Sequence, residues 1–178
     1  MFNPELLRAV SDEWPGPDDP RWFRTANPHV KKLAQVFDLD KLGPQTQKAV
    51  RKLQSAQFLR FLSAVTGVDN LIPDPHFAGG LLNDIDEGGY ISGHLDFNFN
   101  GALKLYRRIN VLVYLNDDWT QGDEGRLQFW DKVRRIAKTG STNNMSHGIH
   151  HETKLRPHMQ FSASPPRLRG LCGAQRLD

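Results

Sequence analysis

Several features that mark whole classes of protein are scarce or missing in this 178-residue sequence. It has one cysteine, Cys172, which excludes an internal disulfide framework. No apolar run approaches the roughly 20 residues that a membrane-spanning helix needs, and the N-terminus lacks the basic and then apolar segments of a secretory signal. We therefore expect a single folded domain in the cytoplasm, with no membrane partner. The oligomeric state stays open.

Charge is spread unevenly along the chain. Residues 133–178 contain eight Lys/Arg and two Asp/Glu, a net charge of +6, whereas the rest carries 15 basic and 18 acidic residues, a net −3. A basic arm of this kind can bind nucleic acid. The alternative explanation is that residues 133–178 are disordered or non-native. Phe161 is the one aromatic residue of this segment. We rank nucleic-acid binding last among the functions considered.

The first part of the chain has the patterns of helices. Asn3 followed by Pro4 is typical of an N-cap and a first helical position, and Gly67 is a plausible helix end. We expect Trp22 and Phe23 to pack the proline-rich loop before them onto the core. Apolar residues at helical spacing predict three helices, over residues 1–12, 29–37 and 45–65.

A β pattern begins after Ile72-Pro73-Asp74-Pro75, because two prolines so close cannot lie inside a helix. The segment 86–89, Asp-Glu-Gly-Gly, has the composition of a turn. The nearly continuous apolar run 111–114 indicates a strand covered on both faces. Helices followed by strands predict an α+β fold in which helices buttress an antiparallel sheet. The predicted strands are 81–85, 90–96, 105–115 and 126–130.

The stretch from Gly88 to Asn98 carries the residues with metal-binding chemistry. Residues i and i+2 of a strand lie on the same face, so the His94 imidazole and the Asp96 carboxylate can reach one metal ion together. A lone His-x-Asp arises often by chance, but three glycines leave room beside this pair. Arg107-Arg108 follow on the next strand. They either contact an acidic substrate or simply flank the strand, and we favour the second interpretation.

The run LIPDPHFAGGLLNDIDEGGYISGHLDFNFN, followed by LYRRINVLVYLNDDWTQGDEGRLQFWD, resembles the Fe(II)/2-oxoglutarate-dependent dioxygenases of the prolyl 4-hydroxylase type. The resemblance implies a double-stranded β-helix (jelly-roll) core, incomplete at the C-terminus and buttressed by the N-terminal helices. It implies Fe(II) as cofactor and 2-oxoglutarate as cosubstrate, with ascorbate as a candidate further cofactor. The reaction it implies hydroxylates a prolyl or other residue of a protein or peptide and yields succinate and CO2. A small-molecule substrate is the alternative.

The same resemblance implies roles for five residues. His94 and Asp96 match the first His and the Asp of an iron triad, and two His with one carboxylate suit non-haem Fe(II). Tyr114 matches a tyrosine that hydrogen-bonds the distal carboxylate of 2-oxoglutarate, with ordinary strand packing as the alternative. For the third iron ligand the best literal match is His147, within Ser-His-Gly. For the basic residue that pairs with the 2-oxoglutarate carboxylate it is Arg156.

Beyond residue 132 the sequence departs from this family's pattern. Trp130 and His147 are only 17 positions apart, although two strands of ~5–6 residues each and their connections are expected there. We therefore divide the chain into 1–132, which holds the helices and the first jelly-roll strands, and 133–178, a basic and poorly patterned tail. A frameshift or altered gene end explains such a tail, and a divergent native C-terminus is the alternative.

A jelly roll that lacks strands has open edges with unpaired backbone groups, and an iron ion with two protein ligands is bound weakly. We therefore expect poor stability and little turnover from this chain. The alternative function is accordingly a catalytically inactive family member or a binding module.

The genomic DNA past codon 132 tests the frameshift. Translation in the other two frames is expected to yield Ser-x-His-Gly, then an Arg and an apolar, tyrosine-rich strand. Sequencing of the native locus checks this expectation. If neither frame contains that order of residues, the tail is native and the frameshift hypothesis is wrong.

Overall fold

The computed structural model describes residues 2–94, 96–116, 126–130, 135–138, 147–151, 158–162 and 168–177, the last five ranges by their backbone. The helices are α1 (Pro4–Asp12), α2 (Pro44–Leu53) and α3 (Ala56–Thr66). The strands are β1 (Phe23–Asn27), β2 (Val30–Val36), β3 (Ile72–Pro73), β4 (Leu82–His94), β5 (Phe99–Asn100), β6 (Leu105–Tyr114), β7 (Arg126–Trp130), β8 (Arg135–Lys138), β9 (His147–His151), β10 (His158–Ser162) and β11 (Leu168–Leu177). No helix within the described ranges has both the length and the apolar character needed to span a bilayer. Helices and antiparallel strands confirm the predicted α+β class.

Helix α1 forms as predicted. The Asn3 side chain accepts a hydrogen bond from the Leu6 N–H at 3.1 Å, and Pro4 takes the first helical position. Leu6, Leu7 and Val10 share the buried face. Local capping chemistry therefore explains where this helix begins.

The helix predicted over 45–65 is two helices. The chain breaks at Ser55, whose hydroxyl oxygen accepts from the Phe58 N–H at 3.2 Å and so caps α3. Gly67 ends α3 in the left-handed region with φ 69°, as predicted. Because the helix restarts at Ser55, the apolar pattern does not run through as one buried stripe. Leu62 is fully buried, whereas Phe61 and Val65 are exposed.

The helix predicted over 29–37 is wrong, because strands β1 and β2 form an antiparallel hairpin there. Val30 and Leu33, three residues apart, have the spacing of a helix. Lys32 has φ 56°, and the three steps from Val30 to Leu33 in β2 match only two steps of β1, from Asn27 to Thr25. This irregularity places Val30 and Leu33 in the same apolar cluster with Ile85. A bulged strand thus imitates helical periodicity.

The two aromatic residues after the proline-rich loop behave differently. Trp22 is buried as predicted, packs 6.0 Å from the Trp14 ring, and donates through Nε1 to the Gly16 carbonyl at 2.7 Å. Phe23 was expected to pack beside it and is instead 61% exposed, paired at 6.0 Å with Phe37. Phe23 lies in β1, at the margin of the sheet, so it has less of the fold to pack against.

Strand β4 changes its partner along its length. We predicted two strands with a turn over 86–89, but the chain forms one 13-residue strand with Gly88 at φ 69°. Residues 82–85 pair with β11, whereas residues 90–94 pair with β10. The main path of the sheet is β5-β6-β11-β4-β10-β7-β8, with antiparallel pairs throughout. The change of partner around Gly88 and Gly89 is named here the bend of β4.

Strand β6 has one buried and one half-buried face. Ile109, Val111 and Val113 belong to the main core, which they share with the helices. On the other face Leu112 and Tyr114 are half-buried, so the expectation of two fully covered faces holds for one face only. Tyr114 packs on a smaller cluster centred on Leu33 and Ile85, named here the inner cluster, with Val30 and Ile91 as its other members.

Four strands lie in the segment predicted to be a poorly patterned tail. Strand β11 pairs with β4 and β6, β10 with β4 and β7, β9 with β6, and β8 with β7. These strands were not predicted because apolar and polar residues do not alternate clearly in them. Strand β9 is rich in histidine, and β11 mixes glycine, arginine and leucine. The boundary at residue 132 and the frameshift stay predictions, since backbone pairing does not report the origin of a sequence.

The Glu13 carboxylate, just after α1, forms hydrogen bonds with the first turn of α2. The Glu13 side chain accepts hydrogen bonds from the Gln45 N–H at 2.9 Å, the Thr46 N–H at 2.8 Å and the Thr46 hydroxyl at 2.8 Å. Burial raises the pKa of Glu13, but these three bonds outweigh it and the pKa is lowered overall. Glu13 thus acts as an N-cap supplied from another helix.

We expect Glu13→Gln to lower the free energy of unfolding by about 1–2 kcal/mol near neutral pH, because the amide nitrogen would face backbone donors. A depressed native pKa stabilises the fold above the ordinary carboxyl pKa, and that stabilisation is lost as pH falls through the native value. The difference in the free energy of unfolding between the wild type and Glu13→Gln should therefore become smaller as the pH is lowered. Urea unfolding at several pH values measures it. Asp12→Asn on the neighbouring exposed residue is the control, and an equal loss there would contradict the assignment.

Gly89 is required by close packing beside the bend of β4. A Cβ at this position would lie 2.7 Å from Ile85 Cγ2, 2.8 Å from the Asp86 carbonyl oxygen and 2.9 Å from the Lys31 carbonyl oxygen. Two of these atoms belong to the backbone, so we expect Gly89→Ala to cost about 1–3 kcal/mol. Thermal unfolding of that variant and of Gly101→Ala, where nothing lies within 4 Å, measures the cost. Equal stabilities for the two variants would rule out the packing constraint.

Candidate metal site

A register shift sets the face on which His94 lies. In the pairing of β4 with β10, Ile91 pairs with Phe161 and His94 with Met159. Three steps along β4 therefore match two along β10, which is a β-bulge. The bulge brings Ile91 and His94 to the same face although they are three residues apart. Since Ile91 packs on the inner cluster, His94 lies on the inner face of the fold.

The structure brings the two predicted ligands together. His94 Nε2 lies 3.2 Å from Asp96 Oδ1, and the two side chains are 35% and 26% exposed. Strand β4 ends at His94 and Leu95 lies outside the described residues, so Asp96 follows the strand rather than ending it. The predicted pairing of the side chains is thus observed, although Asp96 was expected inside the strand.

A hydrogen bond from Nδ1 fixes the orientation of the His94 imidazole. Nδ1 lies 2.8 Å from the Ser92 carbonyl oxygen, to which it donates, so Nε2 is the nitrogen available to a metal ion. The hydrogen bond to Asp96 raises the pKa of His94, while burial opposes this. A proton and a metal ion therefore compete for Nε2.

The second oxygen of Asp96 is held by two side chains from β6. Asn110 Nδ2 donates to Asp96 Oδ2 at 3.3 Å, and Arg107 Nη2 lies 3.4 Å from the same oxygen. These contacts leave Oδ1 directed at His94. The carboxylate is therefore oriented as completely as the imidazole is.

Arg107 is one of the residues that sequence reasoning missed. We favoured a flanking role for Arg107 and Arg108, but Arg107 is only 6% exposed and contacts Asp96. A signal was present in the sequence. Arg107 has the same alternation as Ile109 and Val111, and a cation on a buried face must be paired. Asn110, which is half-buried, had no comparable signal.

Tyr114 lies on the face of β6 that also holds Asn110. Its ring packs on Leu33 and Ile85 of the inner cluster, so the packing that we considered as its alternative role is present. The position is nevertheless on the same inner face as the His94–Asp96 pair. Its contact with 2-oxoglutarate stays a prediction.

The two remaining predicted residues are in the tail. Arg156 lies outside the described residues. His147 begins β9 and is paired with Val113, whereas His150 is paired with Asn110. Directly paired residues of antiparallel strands lie on the same face. The register thus places His150, and not His147, on the face of Asn110, while the role of His147 stays a prediction.

The donor set of the pair fits iron. Within the described side chains no group of three or more His, Cys, Asp or Glu could hold a metal ion. The His94–Asp96 pair nevertheless supplies one imidazole nitrogen and one carboxylate oxygen, each fixed by a hydrogen bond at its other end. A nitrogen and an oxygen of these types suit two of the three protein ligands of non-haem Fe(II).

Comparison with known proteins supports the same interpretation. The model of the 2OG-Fe(II) oxygenase superfamily matches residues 80–165, a range that includes His94, Asp96 and Tyr114 and continues past residue 132. No curated protein matches the chain in sequence.

Similar solved structures are hydroxylases. A prolyl-4-hydroxylase from Pseudomonas putida has a TM-score of 0.68 at 15% identity and covers 99% of this chain and 89% of its own. A Trichoplax adhaerens prolyl hydroxylase, in complex with a peptide fragment of the hypoxia inducible factor oxygen degradation domain, has a TM-score of 0.62 at 13% identity, covering 97% and 75%. A viral collagen prolyl hydroxylase from Paramecium Bursaria Chlorella virus-1, in a 2OG complex, has a TM-score of 0.59 at 15% identity, covering 85% and 82%. These structures confirm the predicted fold.

Proposed function

We propose that this chain is a 2OG-Fe(II) oxygenase that hydroxylates a prolyl or other residue of a protein or peptide. The observation that carries the proposal is the contact of His94 Nε2 with Asp96 Oδ1 at 3.2 Å on the inner face. A peptide substrate is supported by the Trichoplax adhaerens enzyme, whose structure contains a peptide fragment. A small molecule is the alternative substrate, and we place the protein in the cytoplasm.

The residues of the site have distinct tasks in this proposal. Bound Fe(II) and 2-oxoglutarate would supply the oxidative decarboxylation that activates O2 for hydroxylation of the substrate. The Ser92 carbonyl keeps the proton on Nδ1 of His94, and Asn110 keeps Oδ2 of Asp96 turned away. Tyr114 would donate to the distal carboxylate of 2-oxoglutarate. The apolar inner cluster beside Tyr114 would keep water away from the cosubstrate.

The third iron ligand is assigned to a tail histidine. His147 is the literal match to the family motif, and His150 has the favourable register opposite Asn110. Arg156 is the proposed partner of the 2-oxoglutarate carboxylate. Ascorbate is included as the reductant that keeps the iron ferrous. If no tail residue completes the site, the chain is a non-catalytic binding module.

Succinate production tests the proposal. The purified chain is loaded anaerobically with Fe(II), supplied with 2-oxoglutarate, ascorbate and O2, and assayed for succinate and bound iron. If a tail residue completes the site, the wild type should form succinate and His94→Ala should lose more than about 100-fold of that turnover, because a metal ligand itself contributes more than the 10–100-fold of the residues that support it. His147→Ala and His150→Ala identify the third ligand by which of them loses iron.

The control is His76→Ala, which removes an exposed imidazole from a loop. It should retain the iron content and turnover of the wild type. A wild-type protein that binds no iron and forms no succinate would contradict the enzyme proposal and favour the binding module. Robust turnover that depends on His147 would instead rule out the frameshift hypothesis.

A further inference from the structure

We propose that Arg107 is a positioning residue that holds the Asp96 carboxylate so that Oδ1 faces His94 and one metal ion. The inference rests on the proposed function, because it takes Asp96 as a metal ligand. It goes beyond that function because it assigns Arg107 the task of supporting the ligand Asp96. From the sequence we had expected Arg107 only to flank the strand.

Arg107 contacts three consecutive residues of the segment after β4. Its Nη2 lies 3.4 Å from Asp96 Oδ2, its guanidinium carbon is 4.7 Å from the centre of the Phe97 ring, and its backbone N–H donates to the Asn98 carbonyl at 2.8 Å. Strand β6 packs into the main core through Ile109. The contacts of Arg107 therefore hold the segment 96–98, which includes the proposed ligand Asp96, against a strand of the core.

The burial of Arg107 makes this arrangement specific. A buried guanidinium cannot lose its proton and needs an anionic partner, and among the described residues its ion pair is with Asp96. Its Nη1 also lies near the backbone of Gly79, 3.6 Å from where a Cβ would be. The guanidinium thus lies against both the Gly79 backbone and the Phe97 ring, which limits the positions that it and Asp96 can take.

Charge and positioning predict opposite signs for the effect of Arg107 on metal affinity. A cation beside the carboxylate repels a metal ion at the other oxygen, so removal of the charge alone would tighten binding. Loss of orientation would weaken it, because the carboxylate would need to be ordered on binding. The sign of the change therefore separates the two roles.

Metal titration of four variants tests the proposal. We would measure Fe(II) binding anaerobically by calorimetry, and Mn(II) binding by electron paramagnetic resonance, for the wild type, Arg107→Met, Arg107→Lys, Arg108→Met and His94→Ala. Arg107→Met should weaken binding about 10-fold or more. Arg107→Lys should weaken it less, since it keeps the charge and loses the planar fork. The half-exposed Arg108→Met is the matched control and should stay within about twofold of the wild type.

The outcomes are separable. Unchanged or tighter binding by folded Arg107→Met overturns the positioning role, as does a lower melting temperature of the metal-free protein with unchanged affinity. If Arg107→Met does not fold, Arg107→Lys decides, and wild-type affinity in that variant overturns the role. If His94→Ala binds like the wild type, the proposed metal site itself fails. If His94→Ala loses binding while Arg107→Met keeps it, only the role of Arg107 fails.

Discussion

The bend of β4 is the constraint on which the rest of the structure depends. One continuous strand changes its partner from β11 to β10 around Gly88 and Gly89. The left-handed conformation at Gly88 and the lack of space at Gly89 permit few other residues there. Because His94 ends the same strand, the bend also determines where the imidazole lies relative to the inner cluster.

Local chemistry was predictable from the sequence and strand parity was not. The Asn3 cap and the Gly67 helix end depend on neighbouring residues alone, and both predictions are confirmed. The hairpin of β1 and β2 was missed because a bulge at Lys32 gives the strand a helical spacing of apolar residues. The strand expected up to Asp96 ends earlier, at His94, although the two side chains still meet.

The candidate site shows the same difference between local features, which were predictable, and non-local ones, which were not. His94 and Asp96 were predictable because their chemistry is unusual for a strand and the surrounding motif resembles a known family. The support that they receive from Arg107 and Asn110 depends on how β6 lies against the segment after β4, a non-local relation that no sequence spacing reports. The tail histidines illustrate the remaining limit, since His147 was chosen by motif whereas register brings His150 opposite Asn110.

The position of β11 has a consequence for how the protein folds. This strand lies between β6 and β4 in the sheet, yet residues 168–177 are the last described part of the chain to be synthesised. Until they emerge from the ribosome, β4 and β6 each lack a neighbour on that side, and exposed strand edges favour pairing with other chains. Such late, long-range pairing is also slow. The interval before β11 docks is therefore the period in which a nascent chain is most vulnerable to aggregation.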